Sequence, residues 1–179
     1  MTVLEGRSVV ASSRLDIGAG DPANEDRKRE LGLPCRPAGA WTTVDAFCPA
    51  DVNAEMWDLP FADGAITEIW SSHALEHVAT DRVGPTLAEW FRVLAPGGLL
   101  TLQVPDLDHA CRYWLEHQGD PWALAILFGG QHHPGDFHRT GFSRGTLERE
   151  LAAAGFEDVT VDVVEDYGQL TLRAQAVRR

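Results

Sequence analysis

The chain has 179 residues, 44% of them hydrophobic, which suits one globular domain with a core of its own. With 15 Lys and Arg against 27 Asp and Glu the net charge is -12, which argues against a nucleic-acid backbone or an anionic membrane as the main partner. No apolar run approaches the roughly 18 residues of a membrane span, Glu5 and Arg7 break any leader-like apolar core, and the scattered Cys35, Cys48 and Cys111 form no disulfide framework or ligand pair, so a reducing cytoplasm is expected.

Met1 to Ser12 reads as a strand or an irregular lead-in. The first firm strand, residues 14 to 17, runs into Asp16-Ile17-Gly18-Ala19-Gly20, where two glycines one residue apart open a tight turn that a ligand can approach closely. In Asp21 to Ala40 the steps Asp21-Pro22, Leu33-Pro34 and Arg36-Pro37 disfavour a long helix, leaving at most one or two charged turns around Asn24 to Leu31. Arg27-Lys28-Arg29, within it, is the one compact basic patch. Ala40 to Asp45 is a second strand ending in an acid, Asp51 to Asn53 a short third, and Asp58 to Gly64 turn chemistry.

Ala65 to Ser72 is a fourth strand, leading into His73-Ala74-Leu75-Glu76-His77. A helix follows, with Pro85 expected in its first turn and Leu87, Trp90, Phe91 and Leu94 as its apolar stripe, until Pro96-Gly97-Gly98 ends it. Leu99 to Val104 is apolar enough for a strand buried on both faces. Asp106 can cap a helix striped by Leu107, Ala110, Cys111, Trp114 and Leu115, and a short helix, Trp122 to Phe128, follows Pro121. Gly129 to Gly141 is a long loop with three histidines, Ser143 to Ala154 a helix stopped by Gly155, and Val159 to Val164 with Leu170 to Val177 a hairpin around Asp166-Tyr167-Gly168.

This alternation predicts a single α/β domain over 1–179: a Rossmann-like, doubly wound, mostly parallel sheet with an antiparallel C-terminal edge hairpin. The strand ends at Gly18-Ala19-Gly20, Asp45 and Ser72-His73 should then converge on one edge, where such sheets bind ligands. Asp45 lies 29 residues beyond Asp16 and suits a ribose diol, because a carboxylate accepts two hydrogen bonds. Asp21-Pro22-Ala23 supplies no third glycine and no helix N-terminus is expected for a pyrophosphate, so a nicotinamide oxidoreductase is disfavoured.

Leu15-Asp16-Ile17-Gly18-Ala19-Gly20, Asp45, Asp58-Leu59-Pro60-Phe61-Ala62-Asp63-Gly64, Ser72-His73-Ala74-Leu75-Glu76-His77, Leu94-Ala95-Pro96-Gly97-Gly98 and Ala154-Gly155-Phe156 stand in an order that resembles the class I S-adenosylmethionine-dependent methyltransferases, across roughly residues 14 to 160 and closest to short bacterial members. The resemblance implies S-adenosyl-L-methionine as cofactor. Gly18, Ala19 and Gly20 would pass under its methionine part, with Asp16 holding the turn or, through water, the ammonium. Asp45 would take the ribose, Asn53, Met56 and Trp57 the adenine, and Ser72 and His73 would sit near the transferred methyl. Two departures stand out: the weak first crossover, and only 13 residues before Arg14 where relatives often carry covering helices. The cofactor site is therefore expected to be open, or closed by a second copy in a homodimer.

Methyl transfer needs alignment, and a base only where the acceptor must lose a proton. His77, Asp106 and His138 are the catalytic candidates, with His73 beside them. Bland readings compete: Asp16 as a turn cap, Asp45 as a loop acid, His77 with Glu76 as a structural pair, and Asp106 as a helix cap. His132, Asp136 and His138 are metal-capable, but their loop spacing favours lining an acceptor site, and no metal is assigned. Residues 106–142, long and rich in Trp, Tyr and His, are expected to form an acceptor lid. The leading reading is O- or N-methylation of a small-molecule or saccharide-type acceptor, against a non-catalytic cofactor-binding or assembly module of the same fold.

Overall fold

A computed structural model of the chain describes residues 3–4, 7–8 and 12–179. Of the predicted lead-in, Val3–Leu4 (β1) and Arg7–Ser8 (β2) pair antiparallel as a small ribbon, and the rest up to residue 11 lies outside the described residues. Strands β3 (Arg14–Ile17), β4 (Thr42–Asp45), β5 (Val52–Asn53), β6 (Ile66–Ser72) and β7 (Leu94–Pro105) run parallel to one another. β8 (Glu157–Asp166) and β9 (Gln169–Val177) form the closing hairpin through Tyr167 and Gly168, both at positive φ.

Among the described residues these seven strands make one sheet in the order β5-β4-β3-β6-β7-β9-β8, the Rossmann-like mixed sheet expected. β9 lies inside it, antiparallel to both β7 and β8, so the hairpin contributes two strands and β8 is the edge. The strand order reverses between β3 and β6, which puts the switch point of the sheet beside the glycine turn. β7 is sealed on both faces at its centre: Leu100, Thr101, Leu102, Gln103 and Val104 are all buried.

The helices are α1 (Pro22–Glu30), α2 (Thr80–Val93), α3 (Leu107–Glu116), α4 (Pro121–Phe128) and α5 (Arg144–Ala153), with a short 3-10 turn at Leu75–His77. Four sequence expectations change. α1 is a full nine-residue helix: Asp21 caps it by accepting from the Ala23 N–H at 3.0 Å, and Pro22 stands in the first turn, where its missing N–H costs nothing. A helix N-terminus therefore does follow the glycine turn, but the Asp21 carboxylate already occupies it, so a diphosphate remains disfavoured for a different reason. Pro85 lies inside α2, not in its first turn, because the helix begins at Thr80.

Leu94 belongs to β7, not to α2, and Pro96-Gly97-Gly98 forms an irregularity within that strand: Ile66 pairs with Leu94, and Glu68 next with Leu99. On α3 only Ala110 of the predicted stripe is buried, and Leu115 is exposed, because this helix packs chiefly on α4 and not across the sheet. The core lies between the sheet and α2 and α5, around Leu87, Trp90, Leu147 and Leu151. Residues 106–142 hold α3, α4 and the long loop, returned to the sheet where Leu107 N–H donates to the Phe142 carbonyl at 2.9 Å.

Candidate functional site

β3 stops at Ile17, and the chain turns at Gly18 and Gly20, both at positive φ (69° and 62°). The turn is tied to β4: Gly18 N–H donates to the Val44 carbonyl at 2.8 Å, and Gly20 N–H to Asp45 Oδ2 at 2.9 Å. The two glycines are required for different reasons. A Cβ on Gly18 would stand 2.3 Å from the Ala74 Cβ, whereas one on Gly20 would meet nothing within 4 Å and enter open space.

That space is a cavity of about 660 Å³ at the carboxyl ends of β3, β4 and β6, floored by Gly18 and Gly20. Asp45, the apolar Met56 and Trp57, and His73 and His77 are among its lining residues. Asp45 is less free than its position in the sequence implies. Oδ2 accepts from Gly20, and Oδ1 accepts from the N–H groups of Phe47 (2.8 Å) and Cys48 (2.7 Å). With about four lone-pair positions on a carboxylate, one position on Oδ2 is left for a ligand.

A family model described as "Methyltransferase domain" matches residues 38–102, from before β4 into β7. The chain is 30% identical over 125 residues to a malonyl-acyl-carrier-protein O-methyltransferase of Laribacter hongkongensis, a match covering 69% of this chain and 41% of that relative's length. Its fold is that of an S-adenosylmethionine-dependent methyltransferase from Archaeoglobus fulgidus (TM-score 0.63, 15% identity, covering 93% of this chain and 86% of the other). It is also that of the Burkholderia thailandensis 1,6-didemethyltoxoflavin-N1-methyltransferase, solved with its acceptor and S-adenosylhomocysteine (TM-score 0.60, 20% identity, covering 92% and 69%). Residues 38–102 thus carry the sequence pattern of a methyltransferase domain, and the chain has the fold of S-adenosylmethionine-dependent methyltransferases.

The residues of this chain fit S-adenosylmethionine, the group that the matched fold implies. The open space over Gly20 is a cradle that a Cβ would fill, the cavity lies in the usual size range for a ligand site, and its lining includes both apolar side chains and a carboxylate. Of the cofactor residues named from sequence, Gly18, Gly20, Asp45, Met56, Trp57 and His73 line the cavity. Ala19 lies in the turn between them, its N–H 3.3 Å from the Val44 carbonyl. Asn53 stands aside, its amide donating to the Asp45 and Ala46 carbonyls, and Ser72 is held between Lys28 Nζ (3.1 Å) and Gln103 Oε1 (3.0 Å).

Asp16 is buried behind the turn and paired with the guanidinium of Arg36. Burial raises its pKa from 3.8 to about 6, the Arg36 charge opposing the rise only in part. The folded state therefore holds this proton more tightly than the unfolded chain, so the contribution of Asp16 to stability is full below pH 3.8 and is lost as pH rises through about 6. That gap is worth about 3 kcal/mol, so Asp16→Asn is expected to flatten the decline of thermal stability between pH 4 and 7 relative to the parent. Parallel melting curves check it, and equal slopes would remove Asp16 as the cause.

A buried charge network, invisible as such in the sequence, backs the cavity. Lys28, read as part of a basic surface patch, points inward, and its Nζ donates to Asp166 Oδ2 at 2.6 Å. Asp166 Oδ2 also lies 3.2 Å from His73 Nε2, and His73 Nδ1 lies 3.3 Å from Glu76 Oε1. Burial works to lower the His73 pKa, but the hydrogen bond to Asp166 and the ion pair with Glu76 outweigh it and hold the ring at about 9. Near neutral pH His73 is thus an imidazolium locked between two carboxylates, and it has no lone pair with which to act as a base.

The other predicted catalytic residues separate. His77 lines the cavity. His138 lies beside it, the two rings edge-on with centroids 5.0 Å apart. Asp106 is buried away from the cavity as the cap of α3, accepting from the Asp108 N–H at 3.0 Å. His132 pairs with Asp136 at 2.8 Å on the exposed loop. Phe47, Arg82 and Arg139 also line the cavity, and sequence reading passed over all three. An exposed aromatic two residues beyond the strand-end acid was the available signal for Phe47. Its ring stands 5.8 Å from that of His133, so the 129–141 loop reaches over this side of the site.

Proposed function

We propose that this chain binds S-adenosyl-L-methionine in the cavity at the switch point and transfers its methyl group to a small-molecule or saccharide-type acceptor by O- or N-methylation. The observation that carries the reading is the single cavity wall made by the Gly18–Gly20 turn, Asp45 and Met56–Trp57 at the ends of β3 and β4. When bound, the cofactor supplies an electrophilic methyl on a sulfonium, and its displacement is in line. Gly20 leaves room for the amino-acid tail, Asp45 Oδ2 offers its remaining acceptor position to a ribose hydroxyl, and Met56 with Trp57 receives the adenine.

The acceptor enters from the side of residues 106–142, which we read as its lid: backbone N–H groups of Arg139 (2.8 Å) and Thr140 (3.1 Å) fasten this segment to the Glu76 carbonyl at the cavity rim. The acidic chain argues against a nucleic-acid acceptor. We place the protein in the bacterial cytoplasm. Cys35, Cys48 and Cys111 are free thiols, and among the described residues no helix is long and apolar enough to cross a membrane.

Calorimetry with S-adenosylmethionine and S-adenosylhomocysteine, with NAD as control, tests the site: heat with the first two only supports it, and heat with NAD alone overturns it. Asp45→Asn keeps the side-chain shape but removes the charge, and it is expected to weaken cofactor binding by about 10–100-fold. The second reading, a non-catalytic binding module, draws on the locked His73. Cofactor binding without turnover on any hydroxyl or amine acceptor would favour it.

A further inference from the structure

We propose that Glu76, His77 and His138 form a binding site for a divalent first-row transition metal at the edge of the cofactor cavity. One ligand-type atom from each of the three lies within 4.8 Å of the other two, and His138 Nε2 is 3.9 Å from Glu76 Oε1. Ligands of one zinc-sized ion at about 2.1 Å stand roughly 3.0–3.5 Å apart. Side-chain rotation of about an ångström therefore closes the set.

Three observations point to a ligand. Glu76 is only 1% exposed, and neither of its carboxylate oxygens has a hydrogen-bond partner among the described residues. A buried carboxylate oxygen left without a partner is costly. His73 Nδ1 lies 3.3 Å from Oε1 as an ion pair, which leaves Oε2 without any partner. Second, both histidines are oriented from behind as ligands usually are: His77 Nδ1 lies 3.1 Å from the Phe137 carbonyl and His138 Nδ1 3.0 Å from the Ile126 carbonyl. That bond puts the proton on Nδ1 and leaves the lone pair on Nε2 of each ring. Third, the fold builds the cluster. The Arg139 and Thr140 N–H groups bind the Glu76 carbonyl and so carry His138 across 62 residues of chain to its partners.

Two imidazoles and one carboxylate suit Zn²⁺, Mn²⁺ or Fe²⁺, and they leave coordination positions open. His77 lines the cofactor cavity, whereas Glu76 and His138 line a small neighbouring cavity with Leu107 and Ile126, so the ion would stand between the two spaces. An acceptor presenting an oxygen ligand, a hydroxyl above all, is the class this arrangement takes. This last step rests on the methyltransferase reading, whereas the metal site itself does not.

The test uses the full chain, stripped with chelator and titrated with Zn²⁺, Mn²⁺ and Co²⁺ without any cofactor. The expected result is one ion per chain by calorimetry and elemental analysis, with a Co²⁺ visible spectrum of nitrogen and oxygen ligation. Glu76→Gln and His138→Ala, confirmed folded by circular dichroism, should each weaken binding at least about tenfold. His132→Ala, on the exposed loop, should leave it unchanged. Absence of binding in the parent overturns the proposal, as does loss with His132→Ala but not with Glu76→Gln. Because no cofactor is present, failure here is separate from failure of S-adenosylmethionine binding.

Discussion

Lys28→Ala is expected to cost about 3–5 kcal/mol of folding stability, the largest effect of any single substitution on the face of α1. The Lys28 side chain is 8% exposed and its partner Asp166 is fully buried, with Nζ and Oδ2 2.6 Å apart across 138 residues of sequence. Removing the ammonium leaves Asp166 to share His73 with Glu76. Burial alone would raise the Asp166 pKa, but the hydrogen bonds to His73 and Lys28 bring it below the ordinary carboxylate value, so the carboxylate is the form the fold depends on. The loss has a structural reach as well, because Lys28 fastens α1, the helix leaving the glycine turn, to the end of the β8–β9 hairpin. Urea denaturation measures the effect. A double-mutant cycle with Asp166→Asn should return a coupling above about 1 kcal/mol. A parent-like midpoint for Lys28→Ala would show that the pair does not support the fold.

The glycine turn offers the second large effect, as a contrast between two neighbouring positions. Gly18→Ala is expected to lose about 2–4 kcal/mol and cofactor binding together, from a positive φ unfavourable to any L side chain and from overpacking against Ala74. The Cβ-to-Cβ approach of 2.3 Å can be relieved only by moving the backbone at Ala74, next to His73. Gly20→Ala has a similar φ but no neighbour within 4 Å, so its stability cost should be only about 1 kcal/mol. Its methyl projects into the cavity, and binding of S-adenosylmethionine should still fall steeply. Thermal melts paired with calorimetry separate the two. Equal stability losses would mean that the Ala74 contact relaxes freely, and unchanged binding in Gly20→Ala would remove the amino-acid tail from that space.

The strand ends were legible because each is a local signal. A β-prone run closing on Asp-Ile-Gly-Ala-Gly, or on Val44-Asp45, predicts its own strand and its own turn whatever the rest of the chain does. The Asp106 cap was legible for the same reason, because its side chain bonds two residues ahead. Errors arose where two local rules met. Pro22 was read as a breaker although its place just inside the helix start is tolerated, and Pro85 was assigned to a first turn that begins five residues earlier. The α3 stripe had the right period but no sheet face to bury it, since periodicity says which residues share a side and not what covers that side.

Sequence alone determined the alternation of strands and helices, the Gly18–Gly20 turn and the acid at Asp45, because backbone torsion, capping and hydrophobic period act over a few residues. Only the tertiary structure decided the chemistry behind the site: that Lys28 is buried on Asp166, that His73 is locked as an imidazolium between Asp166 and Glu76, and that His138 arrives beside Glu76 and His77. These are electrostatic pairings between groups 3 to 138 residues apart. The charge of a side chain is written in the sequence, but the loss of water around it, which sets what that charge costs and what it must bind, exists only once the sheet has closed.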